Sequence, residues 1–198
     1  MNWPNGLSVA RLIMGPIVLV CLLTGFVRLA FYIFVVAMLT DLCDGYLARR
    51  SNRVTEFGKL MDPLADKVLV SLVLIGLLFM GLPFVSLWMV AVIIARELLI
   101  LGCRTGVFKS GEGFVTSRAA KWKTAAQMVW ISGTLLYLTV ISRVGLSPGD
   151  PQCQAIERGL WGVGVVAVAL TIISGADYLV WSRDSGGNVP QVHRNEEV

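Results

Sequence analysis

Apolar residues run along this chain in six blocks, roughly 8 to 25, 28 to 47, 63 to 80, 84 to 104, 122 to 141 and 157 to 181, with polar residues gathered between them. Each block is close to the roughly 20 residues a helix needs to cross a bilayer. The pattern predicts an all-α integral membrane protein with six transmembrane helices and no soluble domain between them. "GLPF" at 81–84 reads as a tight turn, because glycine and proline together stop one helix and permit the next. A longer break, "SRVGLSPGDPQCQ", separates the fifth and sixth blocks. The first block is not followed by a small-residue cleavage site, so it is expected to be a retained span. The division expected is a six-helix membrane domain over 1–185 and a disordered tail over 186–198.

Composition agrees: 56% of residues are hydrophobic, 15% are charged and the mean hydropathy is +0.72. A soluble domain usually carries about 25% charged residues. Charge also orients the chain, since basic residues collect on the cytoplasmic side of a membrane. With the N-terminus inside, fourteen of the lysines and arginines fall on inner segments, and only Arg28, Arg143 and Arg158 on outer ones. Both termini are therefore expected to be cytoplasmic. Cys21, Cys43, Cys103 and Cys153 show no metal-binding spacing and read as small buried hydrophobes. The single histidine, His193, lies in the polar tail and is given no catalytic role.

Against this background one stretch stands out: "DLCDGYLARRSNRVTEFGKLMDPLADK", residues 41–67, holds four aspartates. Helical positions three or four apart share a face, so Asp41 pairs with Asp44 at the inner end of the second span, and Asp62 with Asp66 at the start of the third. A carboxylate facing lipid is costly, about 2.5–3.5 kcal/mol each on insertion scales, so the four are expected to line a polar cavity. Their mutual repulsion calls for something positive between them. Hard divalent cations, Mg²⁺ or Mn²⁺, answer that need best. The blander alternative is a solvated salt-bridge network with Arg49, Arg50, Arg53, Lys59 and Lys67. Small residues argue against it: Gly45, Ala48 and Gly58 leave room for a ligand beside the carboxylates, although glycine inside a helix costs about 1 kcal/mol. Arg49 offers a planar fork suited to phosphate.

Asp41, Asp44, Gly45, Ala48, Arg49, Gly58, Asp62 and Asp66 stand at the spacing D-x2-D-G-x2-A-R-x8-G-x3-D-x3-D. This resembles the signature of the CDP-alcohol phosphotransferases at all eight fixed positions. The resemblance implies a six-helix membrane enzyme, usually a homodimer, that moves a phospho-alcohol group from a CDP-linked donor to an acceptor hydroxyl and releases CMP. It implies that Asp41, Asp44, Asp62 and Asp66 hold two divalent cations, Mg²⁺ or Mn²⁺, and that Asp66 is the general base. Asp44, Gly45, Ala48, Arg49 and Gly58 then face the donor. An ordinary aspartate, with a pKa of about 3.9, is a weak base, so either a raised pKa or a metal-acidified alcohol is required.

The signature speaks for the donor side only. "PNGLSVARL" at 4–12, "LMDPLADKVLV" at 60–70, "ARELLILGCR" at 95–104 and "KWKTAAQM" at 121–128 resemble the branch of this family whose donor is CDP-diacylglycerol and whose acceptor is sn-glycerol 3-phosphate. A phosphorylated acceptor needs cations, and Arg104, Arg118, Lys121 and Lys123 are expected on the loop joining the fourth and fifth spans as its phosphate ligands. Ala120 departs from the glycine often found before the first lysine of that motif. An inositol phosphate is the second choice of acceptor and other alcohols the third.

A cation transporter is the alternative from another class. Transporters place their carboxylates near the midplane in a repeated architecture, whereas this cluster sits at helix ends and has no second copy. Glu97, beside Arg96, is expected to be a buried structural acceptor, each of the two meeting a different partner. Asp177 reads as interfacial, Trp3, Trp122 and Trp181 as an aromatic belt, and Gly159, Gly162 and Gly164 as permitting close helix packing.

Overall fold

A computed structural model of the chain describes residues 3–48, 56–109 and 118–185, and these form six α-helices with no strand among them. The helices are α1 (Trp3–Leu23), α2 (Val27–Ala48), α3 (Glu56–Phe79), α4 (Leu87–Lys109), α5 (Arg118–Val144) and α6 (Gln154–Ser185). They coincide with the six apolar blocks and overrun them mainly at one end of the bundle. There α3 starts seven residues before its block and α4 runs five beyond. Hydropathy marks where a helix is apolar, not where its backbone stops being helical, and the polar turns at this end continue the helices.

Three turns at the opposite end join α1 to α2, α3 to α4 and α5 to α6. At the first, Gly25 has φ 81°, and the amides of Gly25 and Phe26 return to the carbonyls of Leu22 and Cys21 at 3.2 and 2.8 Å. This left-handed residue closes α1 with the bond pair of a Schellman cap. Gly81, with φ 65°, ends α3 in the same region of conformational space and begins the expected "GLPF" turn. The longer α5–α6 connection is tied to the bundle through Glu157. Its Oε1 accepts from the Tyr137 hydroxyl at 2.5 Å and from the Gly149 amide at 2.7 Å.

Helix contacts close a ring. α1 packs on α3 and α2, α2 on α5, α5 on α6, α6 on α4, and α4 returns to α3. The close approach of α1 and α3 depends on small residues. A Cβ at Gly15 would lie 3.4 Å from the Leu69 Cα, and one at Gly76 would lie 2.6 Å from Leu22 Cδ1. Both contacts advance together along the two chains, so α1 and α3 are parallel, as alternate members of an up-and-down bundle must be. Between the helices lies a core that includes Val18, Leu22, Phe34, Val73, Leu74, Met89, Ile93, Trp130, Ile131 and Leu135.

The outward faces are apolar as well. Leu29, Tyr32, Val36 and Leu39 form an exposed stripe on α2, and Ile13, Ile17 and Val20 another on α1. An exterior this apolar matches a lipid solvent better than water. Among the described residues, two segments, Trp122–Val144 and Gln154–Ala176, are long and apolar enough to cross a membrane. Shorter apolar stretches lie in α1, α2 and α3.

Of the three glycines expected to aid helix packing, only Gly164 does so among the described contacts. A Cβ there would sit 2.7 Å from the Trp130 indole, whereas one at Gly159 or Gly162 would meet nothing within 4 Å. Gly164→Ala is therefore expected to destabilise the protein by about 1–3 kcal/mol through overpacking. Gly162→Ala should be neutral or slightly stabilising, since alanine favours the helix by about 1 kcal/mol. Thermal unfolding in detergent checks both. The same measurement on Tyr137→Phe should show a loss of about 1.5–3 kcal/mol, the worth of a hydrogen bond to a charged group.

Candidate active site

The backbone places the signature at the end of the bundle away from the glycine turns. Asp41, Asp44, Gly45 and Ala48 occupy the last turns of α2, and Gly58, Asp62 and Asp66 the first turns of α3. Positions 41 and 44 fall on one face of α2, and 62 and 66 on one face of α3. Arg49 lies outside the described residues, as do Arg50 and Arg53 of the alternative salt-bridge network and the tail 186–198 with His193. α1 packs between α2 and α3, so its first turns stand between the two aspartate-bearing helix ends.

α5 approaches from the other side of α2. Met38, one turn before Asp41, lies against Ser132, with Sδ and Oγ 4.0 Å apart. The two helices run in opposite directions, so the end of α2 lies level with the start of α5.

The cations expected to hold an acceptor phosphate are placed differently from the expectation. Arg104 belongs to α4, and Arg118, Lys121 and Lys123 belong to the first two turns of α5. All four are helical and none is on the connecting loop. These charges are thereby carried on helices, which hold geometry better than a loop does.

Lys123 is buried, 1% exposed, and its ammonium donates to Glu97 Oε1. Glu97 itself is 2% exposed and receives two further cations: Lys67 Nζ at 3.1 Å on Oε2 and Arg96 Nη1 at 3.6 Å on Oε1. The expectation of a buried structural acceptor at Glu97 agrees with this geometry. The expectation that Arg96 and Glu97 meet wholly different partners does not, because the two touch each other as well. An arginine is long enough to curl back beside its neighbour. Arg96 also donates to Ser174 Oγ at 2.5 Å, which ties in α6.

One carboxylate thus joins α3, α4 and α5, with α6 attached through Arg96. A turn further along, Gln127 donates to Thr171 Oγ1 at 3.1 Å, and Thr171 donates to the Ala167 carbonyl at 2.6 Å. Ser174, Gln127 and Thr171 escape a reading aimed at charge. Their signal is weak but present: uncharged hydrogen-bonding residues inside apolar helices usually face another helix.

By backbone position, the two aspartate pairs stand at the ends of α2 and α3, and the cations of the expected acceptor set stand on α4 and α5. The chain belongs to the CDP-alcohol phosphatidyltransferase family, whose model matches residues 1–173. It is a transferase, and this sets aside the cation transporter. Its relatives narrow the class further. A protein of Bacillus subtilis (strain 168) named CDP-diacylglycerol–glycerol-3-phosphate 3-phosphatidyltransferase is 37% identical over 89% of this chain and 93% of its own length. A protein of the same name from Cereibacter sphaeroides is 34% identical over 90% and 95%. A probable phosphatidylglycerophosphate synthase of Mycobacterium tuberculosis is 36% identical over 94% and 84%.

Removing one partner of a buried ion pair strands the others, at about 3–5 kcal/mol. Glu97→Leu strands three cations and is expected to lose that much. Lys123→Met leaves Glu97 still paired with Lys67 and Arg96 and should lose less. Thermal unfolding in detergent gives the order.

Proposed function

We propose that the chain transfers the phosphatidyl group of CDP-diacylglycerol to sn-glycerol 3-phosphate, giving phosphatidylglycerophosphate and CMP in phospholipid biosynthesis. The observation that carries this reading is the set of relatives named for that reaction, matched along about nine-tenths of the chain at 33–37% identity. The enzyme works as a homodimer in the cytoplasmic membrane, with six spans and with its termini and active site on the cytoplasmic side. The fourteen-to-three distribution of basic residues supports that orientation.

Four carboxylates in two pairs offer only hard oxygen donors, a set that suits Mg²⁺ or Mn²⁺ and suits softer metals poorly. Asp41, Asp44, Asp62 and Asp66 would hold two such cations, which when bound neutralise charge on the donor's diphosphate and on departing CMP. The rest is work for the chain's own residues. Gly45, Ala48 and Gly58 have little or no side chain, so the diphosphate can approach the helix backbones. Arg49 grips a phosphate with two parallel N–H donors.

Asp66 takes the proton of the acceptor hydroxyl. That oxygen bonds to the phosphatidyl phosphorus as the phosphorus–oxygen bond to CMP breaks. Arg104, Arg118 and Lys121 fix the acceptor's own phosphate, so binding energy remote from the reacting centre orients the hydroxyl. Lys123, expected from the sequence to join them, is buried with its ammonium on a carboxylate and is no direct ligand.

Purified protein given CDP-diacylglycerol, glycerol 3-phosphate and Mg²⁺ is expected to release CMP, and excess EDTA to stop it. Asp66→Asn should fold normally and lose about 10²–10⁴ in kcat, the usual worth of a general base. Full activity in that variant, or in EDTA, defeats the mechanism. An acceptor panel in the same preparation separates chemistry from specificity, since preference for an inositol phosphate would overturn the acceptor and leave the reaction standing.

A further inference from the structure

No step proposed above uses Glu97. Yet it is the buried carboxylate on which three cations from three helices converge, at the same end of the bundle as the aspartates. Lys67 directly follows Asp66 and belongs to the same turn of α3. Lys123 is two residues beyond Lys121 on α5. Apart from this link the α3–α4 contact is slight: of the helix pairs in substantial contact, these two share the least. Packing therefore fixes this part of the bundle weakly, and the Lys67–Glu97 ion pair fixes it directly.

We infer that Glu97 is a positioning residue of the transferase site. Through Lys67 it sets the turn of α3 that bears Asp62 and Asp66, and through Lys123 it sets the start of α5 against that turn. The inference rests on the transferase reading above. The physical ground is the sensitivity of phosphoryl transfer to placement: a displacement of about 1 Å can cost about a hundredfold in rate. Lys67 is a long, flexible side chain, 26% exposed, and is ordered at its tip by Glu97 at 3.1 Å. Arg96, anchored on Ser174, shares Oε1 of Glu97 with Lys123, while Lys67 takes Oε2. One oxygen of the carboxylate is thus held by α4 and α5 and the other is offered to α3.

The test measures kcat, both KM values and the melting temperature for the full chain in detergent. It compares wild type with Lys67→Met, Lys67→Arg, Glu97→Gln and the double variant Glu97→Gln/Lys67→Met. Lys67→Met leaves Glu97 paired with Lys123 and Arg96, so it is expected to stay folded with a small drop in melting temperature, and to lose about tenfold or more in kcat. The KM for CDP-diacylglycerol should stay within about twofold, since the donor's own contacts are untouched. Lys67→Arg should restore most of the rate. Glu97→Gln should lose at least as much in kcat, since it also loosens Lys123, and the double variant should lose no more than Glu97→Gln alone, because that change already breaks the Lys67 link.

Wild-type kcat in Lys67→Met, or additive losses in the double variant, overturns the inference. The second result would mean that Lys67 acts on its own. If Glu97→Gln does not fold, Glu97→Asp takes its place; it keeps the charge and shortens the arm by one methylene, and an undiminished kcat there is equally fatal. A wild type that releases no CMP defeats the transferase reading and this inference with it, whereas an active wild type with undiminished variants defeats the inference alone.

Discussion

Burying charge in an apolar bundle is the constraint on which this structure turns. An isolated ion of side-chain size loses several kcal/mol on leaving water even after the protein relaxes around it, so it must find partners or stay out. Glu97 is 2% exposed and Lys123 1%, and the chain meets the constraint by converging three cations on one carboxylate. Nothing nonpolar could substitute for that arrangement without also displacing Lys67 and Arg96. Because those partners come from different helices, satisfying the charge and fixing the helices are one event. The glycine contacts of α1 on α3 hold the other side of α3, through Gly15 and Gly76. The third helix is therefore positioned by close packing on one side and by an ion pair on the other.

The two ends of the bundle show opposite uses of polar residues. At the end with the glycine turns, Tyr137, Glu157 and the Gly149 amide form a closed set in which each donor has an acceptor. Phe84 packs edge-on against Tyr137, with ring centroids 5.5 Å apart, so the α3–α4 turn rests on the same lock. Such a closed network stabilises and offers little to a ligand. At the signature end, cations outnumber the carboxylate they share, and α4 and α5 carry Arg104, Arg118 and Lys121 close by in sequence. A region with surplus positive charge beside four carboxylates suits a substrate that brings phosphates of its own.

Much of this was legible in the sequence, for reasons that differ by element. Six helices followed from six apolar blocks because a bilayer fixes the length of a crossing. The aspartate pairs could be placed on helix faces because i, i+3 and i, i+4 spacing is geometric and needs no tertiary knowledge. The Glu97 cluster could not be assembled in the same way. Lys67, Glu97 and Lys123 are 30 and 26 residues apart in sequence, and no local pattern says which lysine reaches which glutamate. Lys123 illustrates the difficulty: its position in a basic stretch suggested a phosphate, and its side chain lies on Glu97 instead. The cations of α4 and α5 were placed on a loop for a related reason, since charge ends an apolar block without ending a helix.

The Lys67–Glu97 contact also bears on how the proposed donor and acceptor sides are kept in register. The residues proposed for the donor belong to α2 and α3, whereas the cations proposed for the acceptor belong to α4 and α5. Among the described residues these two pairs meet mainly at two seams, α2 with α5 and α3 with α4. The first includes Met38 against Ser132 near the signature end. The second is thin and is bridged by the ion pair. The proposed reaction, which brings a hydroxyl held by one pair of helices to a phosphorus held by the other, would depend on both seams, and most on the thinner one. That is where the structure places Glu97, a carboxylate only 2% exposed.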